Sequence, residues 1–345
     1  MNRRSILIVA TFIAVGLSLS ACMGPKALDA VWPAATSERA MPRPVGLARW
    51  PLTGLQAPSP AAITARIVSV KIENSPAARP QSGLDKADIV YETVTEGGIT
   101  RFNALFQSQT PKVVGPVRSA RPSDFSIVPQ YHALFAHCGG DPAVRKQLTD
   151  RSRFDDMDQF FNPGPYFRSK SRPAPHNLYM SVPKLRAAAI SKRGYKATEV
   201  VQGPAFVHAS TDGTPTVRTI TVPFSTSNRV TWRYDKATKT YKRSVNGSRS
   251  RDKVSGAQYS ARNVVVLWTT VRRYTPSHDP QELEIELTGS GRASVFRDGQ
   301  RFDGTWAAGA ATPPVLRTSD GGAVGLDEGN TWFQVIGNDQ DIVMN

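Results

Sequence analysis

Seven polar residues of this 345-residue chain carry types and spacings that could do chemistry: Asp88, Glu92, Glu96, Arg101, Arg118, Arg121 and His176. Glu92 and Glu96 suggest a general base or an oxygen ligand for a hard cation. The run Val90-Tyr91-Glu92-Thr93-Val94-Thr95 favours a strand, where residues four apart share a face but lie ~13 Å from each other. That exceeds the ~5–9.5 Å separation of paired glycosidase carboxylates, so each needs a partner from elsewhere. Asp85, Asp88, Glu92 and Glu96 together form an alternative set of cation ligands, and pairing with nearby arginines is the plainer reading.

Arg118 and Arg121 lie in Gly115-Pro116-Val117-Arg118-Ser119-Ala120-Arg121-Pro122. If a helix starts after Pro116 they share one face and form a forked anion grip; otherwise they are surface ion-pair residues. His176 sits in Pro173-Ala174-Pro175-His176-Asn177, behind Arg168 and Arg172, where loop backbone is free to meet a ligand. It suits acid/base work, donation to an oxyanion, or simple loop hydrogen bonding. His137 and Cys138 are adjacent, so on a strand they face opposite ways, which argues against a direct dyad; a zinc site from His137, His176 and a carboxylate would lack the helical ligand spacing that marks one. Tyr131 to Gly140 therefore reads as a buried strand with Cys138 as a small filler.

The elements that must position these groups follow from the local pattern. Ala65–Ile72, Ala87–Glu96 and Phe102–Gln107 read as strands, the last two joined by a Gly97-Gly98 turn. Asp141-Pro142 opens a helix to Asp150, and a second helix over Val182–Lys192 stops at Gly194. This mixture predicts an α/β domain over residues 63–210. Beyond it come β-rich runs at Arg229–Tyr234, Thr240–Ser244, Asn263–Val271, Glu282–Leu287, Ala293–Phe296, Arg301–Trp306 and Thr331–Ile336. Asn246-Gly247, Asp298-Gly299 and Asp320-Gly321-Gly322 supply hairpin turns, which predicts an antiparallel β domain over 211–345. The expected class is α+β.

The amino terminus sets the compartment. Arg3-Arg4 precedes an apolar stretch, Ile6–Leu19, too short to span a bilayer comfortably, and Leu19-Ser20-Ala21-Cys22 resembles a bacterial lipobox. Residues 1–21 thus read as a lipoprotein signal peptide and Cys22 as the lipidated thiol. Seven prolines between residues 23 and 62 favour a stiff, extended tether. Two cysteines in all exclude a disulfide framework and a four-thiolate zinc site. With 43 Lys+Arg against 28 Asp+Glu the net charge is +15, which favours anionic partners. Outside the cell that points to lipid head groups or phosphate-bearing polymers rather than nucleic acid.

Val70-Lys71-Ile72-Glu73-Asn74-Ser75, Ala78-Arg79-Pro80-Gln81-Ser82-Gly83-Leu84, Ala87-Asp88-Ile89-Val90-Tyr91-Glu92, Glu96-Gly97-Gly98-Ile99-Thr100-Arg101 and the Gly115–Arg121 run resemble the YerB-like family of bacterial lipoproteins. The resemblance continues through Ala174-Pro175-His176-Asn177 and covers most of residues 65–340. It implies a two-part extracytoplasmic lipoprotein of unknown function and supplies no established active site. The expectation is a membrane-anchored envelope protein that grips a phosphate-bearing glycan or lipid-linked ligand through Arg101, Arg118 and Arg121, with Asp88 beside them. The alternatives are a hydrolase or transferase using Glu92 or Glu96 with His176, and a scaffold that docks a partner protein. Whether it is an enzyme stays open; no cofactor is expected beyond a divalent cation, and no metal ligands are assigned.

Overall fold

The computed structural model describes residues 47–207 and 216–345; Cys22, the expected signal peptide and most of the expected proline-rich tether lie outside them. Its frame is a ten-stranded sheet to which both halves of the chain contribute. At the centre, β1 (Val68–Glu73), β2 (Ile89–Val94) and β3 (Thr100–Phe106) pair antiparallel about β3, with Val68 opposite Phe106 and Ile89 opposite Leu105. β4 (Leu134–Ala136) adds parallel to β1, and β5 (Asp155–Asp156) parallel to β4. On the other flank β2 pairs in parallel with Thr331–Gly337, which pairs in parallel with Asn263–Thr269. Gly289–Arg297, Gln300–Ala308 and Val315–Thr318 then continue the sheet antiparallel.

This topology corrects two expectations. The second half is not purely antiparallel, because its longest apolar run, Asn263–Thr269, is buried on both faces in the parallel part of the sheet. A strand covered on both sides has no polar face, and Val264, Val265, Val266 and Leu267 reflect that. Nor do the strands after residue 210 keep to one sheet: some build a separate six-stranded sheet, while Thr331–Gly337 joins the ten-stranded sheet as a direct neighbour of β2.

Both faces of the large sheet are packed. On one, Val68, Val70, Ile72, Val90, Phe102 and Ala104 join Trp232, Tyr241 and Tyr259 from a second, six-stranded sheet, together with Val182, Leu185 and Ala189 of a helix. On the other, Ile89, Tyr91, Leu105 and Phe135 meet Ile127, Val144, Phe333 and Trp306. The fold is sheet-rich, with three short α-helices among the described residues: α1 (Asp124–Gln130), α2 (Pro142–Leu148) and α3 (Val182–Arg193). Asp141 caps α2 as its sequence implies, its Oδ1 accepting the Ala143 amide at 2.8 Å. Gly194 ends α3 at φ 68°. Asn246-Gly247 and Asp298-Gly299 both hold φ near +50° and +80°, the conformation of tight hairpin turns.

A carboxyl-edge cluster of arginines and glutamates

The pairing directions send β1, β2, β4, Asn263–Thr269 and Thr331–Gly337 the same way, so their carboxyl ends share one edge. In open sheets of this kind that edge is where ligands bind. Glu73 ends β1, Glu96 follows β2, and Arg101 enters β3 directly across from Glu73 and Thr93. The segment carrying Arg118 is held between the ends of two strands. Its amide donates to Lys71 O at 2.9 Å and its carbonyl accepts from the Cys138 amide at 3.0 Å. That backbone is extended and α1 begins only at Asp124, so the helical reading of Arg118 and Arg121 is corrected. They converge all the same, through the turn before α1.

Arg121 grips Glu96 with both forks, Nε to Oε1 at 2.5 Å and Nη2 to Oε2 at 3.0 Å. Its Nε also lies 3.5 Å from Oε1 of Glu282, a buried residue from the other half of the chain. Arg118 Nε is 3.4 Å from Glu73 Oε2, and both Glu73 oxygens are 3.0 Å from His176 Nδ1. Ser75 Oγ donates to Glu73 Oε1 at 2.8 Å.

Arg101 lies in the middle and is 5% exposed. Its nearest carboxylate oxygen, Glu96 Oε2, is 3.9 Å away, and its buried Nε and Nη1 make no hydrogen bond. Burial, with Arg121 and then Arg118 adding like-charge repulsion against the pull of Glu96, lowers its pKa to about 10. Beneath it Lys71 is wholly buried, donating to Asn103 Oδ1 at 2.8 Å and Asp124 Oδ1 at 2.7 Å. Burial lowers the Lys71 pKa, against the opposing pull of Asp124. Burial raises that of Glu282, with Arg121 opposing.

Two expected members are elsewhere. Glu92 faces the opposite side of the sheet, because side chains alternate and its cross-strand partner is Phe102 while that of Arg101 is Thr93. It is fully buried and saturated by Arg243 Nη2 at 2.8 and 3.1 Å, Asn74 at 3.1 Å and Thr100 at 2.8 Å, with no route to a substrate. Asp88 sits at the start of β2, at the far edge, where its Oδ2 accepts the Gln107 and Ser108 amides at 2.6 and 2.8 Å. It holds a turn rather than a ligand. The proposed cation set of Asp85, Asp88, Glu92 and Glu96 is therefore dispersed. Cys138 packs beside the core with its pKa raised by burial, as a filler would. Arg172 is spent on the Ala78 and Pro80 carbonyls, both at 2.6 Å, and Arg168 on Asn177 at 2.8 Å.

Sequence reasoning passed over Glu73 and Glu282. Glu73 stood inside a motif already singled out, whereas nothing local marks Glu282. At the rim Phe160 and Phe161 are each 64% exposed, and the Phe160 ring lies over Gly139, where a Cβ would stand 3.0 Å from it.

Two family profiles match successive parts of the chain. Residues 52–196 match the profile described as Protein of unknown function (DUF3048) N-terminal domain, and residues 220–333 match its C-terminal domain. A Bacillus subtilis (strain 168) protein named "Putative lipoprotein YerB" is 31% identical over 290 residues, spanning 83% of this chain and 85% of that one. The crystal structure of the YerB protein from Bacillus subtilis superposes with a TM-score of 0.78 at 30% identity, covering 86% of this chain and 99% of that chain.

Proposed function

Since this chain belongs to the DUF3048 family, whose relative in Bacillus subtilis is named as a lipoprotein, we propose that it is an envelope protein, lipid-anchored through Cys22, that binds a phosphate-bearing glycan or lipid-linked sugar at the carboxyl-edge cluster. The observation that carries this reading is Arg101: a nearly buried guanidinium with two unused donors, set between Arg118 and Arg121. A buried donor without a partner costs about 1–3 kcal/mol, so a site that keeps one is suited to a ligand that supplies the acceptor.

The charge count narrows the ligand. Three arginines face three glutamates, Glu73, Glu96 and Glu282, so a bare polyanion gains little net attraction. A ligand offering a phosphate to the guanidinium groups and hydroxyls to the carboxylates uses both. The exposed Phe160 ring, set over Gly139, adds an apolar face suited to a sugar ring.

The test is binding of polyprenyl-phosphate sugar in vesicles and of a soluble sugar phosphate to wild type, Arg118→Ala and Arg101→Met. Each loss of a charge-assisted contact should weaken binding roughly 10-fold or more. Unchanged affinity in a folded Arg118→Ala, Arg101→Met double variant overturns the reading.

A second reading is favoured by one contact. Glu73 holds His176 through Nδ1, leaving Nε2 free to accept a proton, which is the base-and-orienter arrangement of hydrolases. Here His176 would activate water toward a phosphate ester with Glu73 orienting it, in place of the general base expected of Glu92 or Glu96. Release of alcohol from a phosphodiester probe, lost in His176→Ala while binding persists, separates this reading from binding alone.

A further inference from the structure

The six-stranded sheet packs one face on the core and leaves the other bare. Along Thr219–Ser225, Asn228–Asp235 and Thr240–Val245 burial alternates, with Ile220, Val222, Val230, Trp232 and Tyr241 turned inward. The register fixes what shares the outer face. Arg233 lies opposite Lys242, and Arg249 opposite Ser244, which itself faces Thr231. Thr231 Oγ1 is 3.2 Å from Thr221 Oγ1 on the next strand. Arg229, four residues before Arg233 on the same strand, points the same way. Arg229, Arg233 and Arg249 are exposed and Lys242 is half-buried, and among the described residues none of the four makes an ion pair. The carboxylate that feels Lys242, that of Asp235, caps its own turn, with Oδ1 accepting the Ala237 amide at 3.0 Å.

We propose that this face rests on the anionic surface of the bilayer to which the chain is tethered, a contact separate from the carboxyl-edge site that takes from the proposed function only the lipid anchor. Cations without counter-charges, spread over about 13 Å along the strands and about 10 Å across them, call for an anionic occupant and repel a second copy of the same face. They lie in two dimensions on a sheet instead of lining a groove, which suits a plane of head groups better than a single polymer chain. Apart from Pro223 and Val343, opposite Thr221, the face is hydroxyl and cationic, so it lies on head groups without inserting into acyl chains. The entry of the chain agrees with this orientation. The Gly329 amide donates to Thr53 O at 2.8 Å, Asn330 Nδ2 donates to Ser260 O at 2.7 Å, and Ser260 lies opposite Lys242. Residues 47–53 therefore stand beside the border of this face, and the expected tether, which joins the fold there, draws it toward the membrane.

Each cation near an anionic surface strengthens the contact about fivefold, an attraction lost when about 1 M salt shortens the Debye length to about 3 Å. The lipidated full chain is reconstituted in phosphatidylcholine vesicles with and without phosphatidylglycerol at low salt, and acetylation of Lys242 in a brief amine-reactive pulse is followed by mass spectrometry. Lys192, exposed on α3, is the internal reference. Phosphatidylglycerol should slow Lys242 at least about fivefold relative to Lys192, and about 1 M NaCl should restore the rate. Arg229→Gln, Arg233→Gln and Arg249→Gln together should abolish the slowing and leave sugar-phosphate binding as in wild type. Equal rates on the two vesicles, or full slowing in the folded triple variant, overturn the proposal. So does slowing by soluble polyglycerol phosphate on neutral vesicles without any by phosphatidylglycerol, since the occupant is then a polymer. Retention of the chain on the neutral vesicles reports the Cys22 anchor separately, so failure of the anchor and failure of the face are told apart.

Discussion

Glu73 and His176 are 103 positions apart, yet both carboxylate oxygens of the first lie 3.0 Å from Nδ1 of the second. Glu73 reaches this place because β1 ends there, and His176 because the loop before Leu178 folds back over the same edge. The shared carboxylate also takes Arg118 at 3.4 Å, so one residue orients both an imidazole and a guanidinium. Glu73 is thus the hub through which positions legible as separate candidates become one site.

Replacing Glu73 with Gln should leave the fold intact but loosen both partners. Loss of a hydrogen bond to a charged group costs about 1.5–3 kcal/mol, and the 25% exposure of His176 places the effect at the lower end. Urea denaturation gives the stability change. The fall in sugar-phosphate affinity should be similar to that of Arg118→Ala, because the same guanidinium is released. Wild-type affinity in Glu73→Gln would show that orientation of Arg118 is not needed.

The Glu92–Arg243 pair is the opposite case, stability without a role at the edge. Both side chains are at most 1% exposed, and Arg243 lies over Phe102 and Trp332, 5.5 and 5.6 Å from the ring centres. Removing one partner leaves a buried charge alone, so Arg243→Met should cost about 3–5 kcal/mol. Adding Glu92→Met should recover most of that loss. Binding at the carboxyl edge should be unchanged in the double variant at a temperature where it is folded.

How far the sequence could be read depends on how local each cause is. The Asp141 cap, the Gly194 stop and the Asn-Gly and Asp-Gly turns are decided within a few residues, and all were legible. The extended strands β1, β2 and β3 were legible for the same reason. Glu92 misled because its chemistry was visible but its face was not. Alternation puts it with Phe102 on the side opposite Arg101, and which side carries the site is settled only by what packs there. Arg118 and Arg121 look helical at a spacing of three, but the Arg118 backbone amide and carbonyl are already taken by Lys71 and Cys138. Glu282 enters through a contact between residues 161 positions apart and leaves no trace in any local pattern. The parallel pairing of Thr331–Gly337 with β2 is hidden in the same way, since a β-branched run reads alike whichever direction its neighbour takes.

His137 gives the fold a dependence on pH. It is buried, with Nε2 2.7 Å from Asp156 Oδ1 and Nδ1 2.9 Å from Gly139 O, an arrangement satisfied on both sides only when the ring is protonated. Burial pulls its pKa down, but Asp156, Asp158 and the Gly139 carbonyl outweigh it and the net shift is upward from 6.5. A base whose folded pKa is raised contributes stability that is fully present below pH 6.5 and is lost as pH rises through the elevated value. Melting temperature should therefore fall above pH 6.5 in wild type. In His137→Gln that component of the slope should vanish; an unchanged slope would mean that another group is responsible.

Cys22 offers the most direct check of the compartment, because thioether formation requires its sulfur and no other atom of the lipobox serves. In a bacterial host, Cys22→Ser should block incorporation of labelled palmitate and shift the protein from the membrane to the soluble extracytoplasmic fraction. A single acyl chain gives marginal binding and stable anchoring takes two signals, so a diacyl thioether on Cys22 would suffice for retention by itself. The described residues contain no helix long and apolar enough to cross a membrane, which leaves nothing helical in this part to substitute for the lipid. If Cys22→Ser stays with the membrane after high-salt washing, the +15 charge or a protein partner is holding it there, and the anchor has been assigned to the wrong part of the chain.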